Sequence, residues 1–194
     1  MSASPDLPQV VERAFAVSRR AGYVSFCRNE PGRLLAMLAA TRDGTMAEFG
    51  TGCGVGTAWL RSGVRGEKAR IITAELDPRL ARAATEIFRD DPLVEVLAAN
   101  WSTLMDKGPY SLLFFDSGQS DGGSAGVVGV DAVAELVEDG GIVVLDDFTP
   151  CQSWPPIASG RVDVLREQWL TDERFTTVEV MVAPDASALI ATKR

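Results

Sequence analysis

Residues 48–56 read Glu48-Phe49-Gly50-Thr51-Gly52-Cys53-Gly54-Val55-Gly56, with glycine at every second place from 50 to 56. A short apolar lead, Met46-Ala47-Glu48-Phe49, precedes it, and the helix-capable run Thr57-Ala58-Trp59-Leu60 follows. Strand, glycine turn and helix in that order let a ligand approach backbone N–H groups at a helix N-terminus. The best-known such turn, the dinucleotide fingerprint, asks for glycine, one residue, glycine, two residues, then glycine or alanine. Its last position is Val55 when counted from Gly50, Thr57 from Gly52, and Trp59 from Gly54. The strict pattern fails in every register.

Outward from the turn, short apolar runs alternate with helix-like segments. The strand candidates are Met46 to Phe49, Arg70 to Leu76, Val94 to Ala98, Ser111 to Phe115 and Gly141 to Leu145. Pro78 to Phe88 reads as a helix, with Asp77 as cap, proline in its first position, and Leu80, Ala84, Ile87 and Phe88 as its apolar face. A second helix follows Asn29-Glu30-Pro31 and ends by Gly44, and a third spans Val130 to Val137, stopped by Gly140-Gly141. After the proline-rich stretch Phe148 to Gly160 come a helix from about Val162 to Leu170 and two strand-like runs, Thr176 to Val182 and Ser187 to Thr192. Pro184-Asp185-Ala186 joins those two runs as a hairpin. The pattern predicts an α/β fold: a Rossmann-like doubly wound sheet of seven strands, mostly parallel with the last strand antiparallel, helices on both faces. Residues 1–194 are expected to form one domain, with 1–30 as an N-terminal arm or cap and 31–194 as the core.

Composition narrows the chemistry. Net charge is −8, from 19 basic and 27 acidic side chains, which opposes binding to a phosphate backbone; no nucleic-acid partner is expected. No basic-then-apolar leader opens the chain, and no apolar run reaches the roughly 20 residues that span a bilayer. Cys27, Cys53 and Cys151 lack zinc-type spacing and read as reduced thiols, so a cytoplasmic location without membrane attachment is expected. There is no histidine. Ser-His-Asp and Cys-His mechanisms are therefore excluded.

The glycine run resembles the first motif of class I S-adenosylmethionine-dependent methyltransferases: an acid, one residue, then glycines at alternate positions. The resemblance implies a cofactor turn made by Glu48, Gly50, Thr51, Gly52, Gly54, Gly56 and Thr57. Glu48 would face the methionine ammonium of S-adenosylmethionine while turn amides take its carboxylate; the plain alternative is a carboxylate that only caps the turn. Glu75, nineteen residues beyond Gly56 at a strand end, suits the two ribose hydroxyls, with Leu76 beside it. Enzymes that bind NAD share that acid, so it does not choose between the ligands. Asn100 and Trp101 stand where the family holds adenine, and each also reads simply, as a helix cap and as packing.

Asp116, Asp146 and Asp147 end two further strands and are expected to converge at the sheet's rim. Three like charges there call for a cation, and hard oxygen ligands suit Mg²⁺ or Ca²⁺. Here the chain, over roughly Glu30 to Asp147 and in its closing hairpin, resembles the catechol-type metal-dependent O-methyltransferases. That resemblance implies a divalent ion on Asp116, Asp146 and Asp147, with Asp116 also beside the cofactor, a small phenolic or catechol-like acceptor, and a homodimer. Two positions depart from it: Asp147 replaces an amide, and Gln119 stands where the branch has its lysine base. Glutamine cannot take a proton. Either the metal alone acidifies the acceptor, or an acid such as Asp121 assists Asp116, or the reaction differs. Trp154 offers an apolar wall for a flat substrate, Gly22 to Cys27 can close the site from the other side, and Gly118 to Gly126 can gate it. A cofactor-binding protein without methyl transfer and an NAD(P)-dependent oxidoreductase stay open as other readings.

Overall fold

The computed structural model describes residues 6–24, 27–116 and 129–194. Its principal strands are β1 Thr45–Phe49, β2 Arg70–Glu75, β3 Val94–Ala98, β4 Tyr110–Phe115 and β5 Val137–Phe148. A two-residue ladder, β6 Ile157–Ala158 with β7 Arg161–Val162, precedes the hairpin of β8 Phe175–Ala183 and β9 Ala186–Lys193. Seven strands form one sheet in the order β3-β2-β1-β4-β5-β9-β8. Strands β1 to β5 pair in parallel, and β9, the last in the chain, is antiparallel to both neighbours.

All six residues of β4 are buried, as expected of a central parallel strand covered on both faces. Side-chain alternation divides the core into two layers. Met46, Leu112, Phe114 and Val144 face α1 Gln9–Ala21, α2 Asn29–Ala39, α3 Val55–Gly63 and α4 Pro78–Phe88. Phe49, Leu113, Val143 and Leu145 face a 3₁₀ turn at Trp101–Lys107, α5 Val130–Ala134 and α6 Val164–Thr171. The chain leaves β1 towards β2 on one side and crosses to β4 on the other. The crevice between β1 and β4, at their carboxyl ends, is the switch point of a doubly wound sheet. Among the described residues no helix is long and apolar enough to cross a membrane.

The α4 reading holds to the residue: Asp77 accepts from the Arg79 amide at 2.8 Å and Pro78 starts the helix, with Ala81 rather than Leu80 completing the buried face. The third helix is shorter than the sequence suggests. It ends at Ala134, and Val137, read as helical, pairs with Tyr110 to begin β5. Gly140 and Gly141 do not stop a helix; they sit within β5, where its register against β4 shifts. An irregular stretch of strand uses glycine as readily as a helix end does. Helix α2 begins at Asn29 and so contains the Pro31 read as preceding it. Among its described residues the N-terminal arm is mostly helix, with Val11, Ala14 and Ser18 buried, and α1 packs on α3 and α4.

Candidate functional site

Gly50, Gly52 and Gly54 adopt φ of 98°, 52° and 86°, left-handed values that exclude most other residues. Gly54 is the N-cap of α3 and provides no side-chain acceptor, so no cap side chain competes for the Val55 and Gly56 amides, while the Thr57 amide faces Glu48. Glu48 shares a face of β1 with Met46, and this alternation carries its carboxylate beneath α3 instead of out of the strand end. It is fully buried. Register places it beside Thr73, whose hydroxyl donates to Oε2 at 2.9 Å, and the Thr57 hydroxyl donates to the same oxygen. Thr51 extends the chain by donating to the Thr73 Oγ1 at 2.5 Å. Oε1 has no partner among the described residues, and a Cβ on Gly56 would lie 2.1 Å from it. Only glycine allows the fit. Burial pushes Glu48 up to about 8, against the hydrogen bonds from Thr57 and Thr73.

Glu75, half-buried at the end of β2, is oriented by two backbone donors: Gly52 to Oε2 and Asp77 to Oε1, both at 2.8 Å. Each oxygen retains lone-pair capacity for a ligand hydroxyl. Leu76, next along, is 70% exposed, an apolar surface beside a carboxylate. Asn100 caps the 3₁₀ turn, accepting from the Ser102 amide at 2.9 Å. The Trp101 ring stacks on Phe49, 5.2 Å between centroids and 16° between planes, so one of its faces is used in packing. A buried acceptor with one oxygen unfilled, open helix amides, an amide-held acid and an exposed leucine together fit S-adenosylmethionine.

Beyond the strand ends lies a cavity of about 380 Å³ lined by Asp116, Asp146 and Asp147, with Val24, Cys27, Arg28, Pro31 and Ala186 completing it. The Asp116 amide donates to Phe49 at 3.0 Å, holding the end of β4 against β1. Register between β5 and β9 shifts between Leu145 and Phe148, and Asp147 takes φ of 67°. That bulge turns the Asp pair out of the ladder towards the cavity. Burial raises Asp116 well above the ordinary carboxylate range, with the charges of Glu48, Asp147 and Asp146 adding to it. Burial likewise pushes Asp146 up to about 6. The three aspartates thus share a wall. Among the described residues, however, no three acidic or cysteine side chains gather closely enough to form a ready-made site for one ion. Asp121, Gln119 and the glycines from 118 to 126 lie outside the described residues.

One participant escaped the sequence, and two come from the stretch Gly22 to Cys27 that reads as closing the site. Cys27, at its end, lines the cavity. Arg28 carried no motif, and its guanidinium pairs with Asp185 across 157 positions. Tyr23 belongs to a stretch read as a possible cover, and its ring rests on the glycine turn: a Cβ on Gly52 would lie 2.7 Å from Cε1. Gly22, left-handed at the end of α1, delivers it there. No local signal could have linked Arg28 to Asp185, because the start of α2 and the hairpin turn meet only in three dimensions. Trp154 is 63% exposed and does not line the cavity.

Residues 47–148 match the family described as a methyltransferase domain. A putative O-methyltransferase of Mycobacterium ulcerans is 31% identical over 122 residues, covering 59% of this chain and 52% of the relative. One from Mycobacterium sp. strain KMS is 31% identical over 152 residues, covering 74% and 66%. The chain therefore spans about half the length of the first of these relatives. In fold it is similar to an O-methyltransferase of Streptomyces achromogenes crystallised in complex with SAM, at TM-score 0.74 and 18% identity, over 97% of this chain and 92% of that one.

Proposed function

Because the chain belongs to the methyltransferase domain family, we propose that it transfers a methyl group from S-adenosylmethionine to the oxygen of a small hydroxylated acceptor. The observation that carries this reading is the continuity between the glycine turn and the acid-walled cavity. Tyr23 rests on Gly52, while Val24, its neighbour in the chain, lines the cavity with Asp116.

When bound, S-adenosylmethionine supplies a methyl carbon made electrophilic by its sulfonium. The amides that open α3 hold its carboxylate, and Glu48 beneath the turn accepts from its ammonium through the unfilled Oε1. Glu75 accepts the ribose hydroxyls, and Leu76 with Asn100 borders the base. On the acceptor side Asp146, pushed up to about 6, is ionised at neutral pH and takes the hydroxyl proton. The oxygen then forms its bond to the methyl carbon as the methyl–sulfur bond breaks. Pro31, Cys27 and Ala186 enclose the wall and limit water, so alignment supplies much of the acceleration. No step is routed through a divalent ion.

Calorimetric titration with S-adenosylmethionine and with NAD tests the reading. Saturable binding of the first and none of the second is expected, followed by transfer of an isotope-labelled methyl group to a member of a phenol and alcohol panel. Binding of NAD alone ends the proposal. Binding of S-adenosylmethionine without transfer to any panel member favours a cofactor-binding protein over an enzyme.

A further inference from the structure

The acid wall contains one fixed cation of its own. Arg28 is the N-cap of α2, and its two terminal nitrogens reach the two carboxylate oxygens of Asp185 at 2.8 and 3.2 Å. A two-pronged pair of this kind fixes the plane of the guanidinium as well as its distance. Asp185 sits in the turn between β8 and β9, and Ala186 beside it lines the same cavity as Arg28. The pair is half or more exposed on both sides, 53% and 68%, so it contributes little to stability. What it does is hold a permanent positive charge at the rim. The charged groups facing that guanidinium are Asp185 from the hairpin and Asp146 and Asp147 from the end of β5.

We propose that Arg28, held by Asp185, is the cation around which this cavity is organised, and that the site works without a divalent metal. The inference rests on reading the cavity as the acceptor site. One observation and one electrostatic argument support it. The described carboxylates do not gather into a three-donor group. A dication placed among them would also stand beside a guanidinium that cannot deprotonate and is held in place. A guanidinium at this rim donates N–H groups to an acceptor oxygen as it loses its proton, the service that a Lewis acid would otherwise perform.

The test uses the metal alone with the full chain. Mn²⁺ is titrated into wild type and Arg28→Gln, read by electron paramagnetic resonance and by calorimetry, and S-adenosylmethionine is titrated in parallel. Wild type is expected to show no saturable Mn²⁺ binding into the millimolar range. Arg28→Gln is expected to bind Mn²⁺ at least tenfold more tightly, and Asp185→Asn, which leaves the guanidinium charge uncompensated, to gain no affinity for Mn²⁺. Affinity for S-adenosylmethionine should stay within twofold in both variants. Saturable Mn²⁺ binding by wild type that Asp146→Ala abolishes overturns the inference, and so does an Arg28→Gln chain that binds Mn²⁺ no better than wild type. If neither chain binds S-adenosylmethionine, the proposed function fails, while the metal titration still decides the role of Arg28.

Discussion

The two halves of the candidate site are assembled by different means. On the cofactor side most groups lie between Glu48 and Asp77, and adjacent parallel strands set their spacing: Glu48 meets Thr73 through register, and Glu75 meets Gly52 and Asp77 through backbone amides. On the acceptor side the wall draws on the α1–α2 junction, the ends of β4 and β5, and the β8–β9 hairpin. These pieces are tied by side chains: Arg28 to Asp185, and buried Arg166 to Asp163, Glu179 and the Thr149 carbonyl. Main-chain bonding resists substitution because it does not depend on residue identity. The acceptor half depends on individual charges, and single changes should loosen or retune it.

The largest expected effect is on the cofactor side and depends on pH. Glu48 sits at about 8 in the folded chain against an ordinary 4.5, so between those values the native state holds more protons than the unfolded one. Its contribution to stability is complete below about 4.5 and is lost as pH rises through 8. The ligand-free protein should therefore weaken across that window, and Glu48→Gln, which keeps an acceptor for Thr73 and Thr57, should flatten its share of the slope. Urea titrations at pH 5, 6.5 and 8 read this directly. Parallel profiles for wild type and variant would mean that Glu48 is charged throughout.

Next in size is Arg166→Leu. The guanidinium is 1% exposed, lies over the Phe148 ring at 5.0 Å, and binds two acids that are themselves mostly covered. Removing it leaves Asp163 and Glu179 without their partner and frees the loop that follows Asp146 and Asp147. A loss of about 3 kcal/mol is expected, towards the lower end for a broken buried pair because both acids keep some exposure. Thermal melts give the number, and affinity for S-adenosylmethionine should not follow it. A loss below about 1 kcal/mol would show that the acceptor half is not held by this arginine.

The same contrast decides how much could be read from the chain before its structure. The turn at residues 48–56, the strand ending at Glu75 and the cap at Asp77 are local, and each is legible because the residues that act together lie close in sequence. The parallel sheet and its antiparallel last strand follow from alternation and the hairpin, whereas the strand order is set only by pairing. The acceptor wall is legible only as a set of strand-end acids. Arg28 carries no pattern that points to Asp185, and the bulge that re-aims Asp146 and Asp147 depends on pairing with β9. The helix expected to run to Val137 fails for a related reason: an apolar run before two glycines suits a helix end and an irregular strand equally, and only pairing with Tyr110 decides.

Glu75→Ala separates the halves in the other direction. Its two acceptor oxygens should lose the ribose hydroxyls, lowering affinity for S-adenosylmethionine at least tenfold, about 1.4 kcal/mol. The Gly52 and Asp77 amides that it held lose a partner as well. Titration calorimetry is the measurement, and an unchanged affinity would place the ribose elsewhere.

The smallest effect sharpens this last one. Asp77 is two residues from Glu75, but its carboxylate faces the opposite way along the chain, accepting from the Arg79 amide and side chain to start α4. Those bonds hold it down to about 2, led by the Arg79 guanidinium. Its own amide, not its side chain, orients Glu75. Asp77→Ala therefore removes a helix cap while leaving the ribose acid in place. A drop in Tm of about 2–4 °C is expected, the size of an ordinary lost N-cap in a chain of this length. Affinity for S-adenosylmethionine should stay within twofold of wild type. If affinity instead falls as far as in Glu75→Ala, the acid is held by the whole strand-to-helix junction and not by two amides, and the backbone-built character of the cofactor half extends into α4.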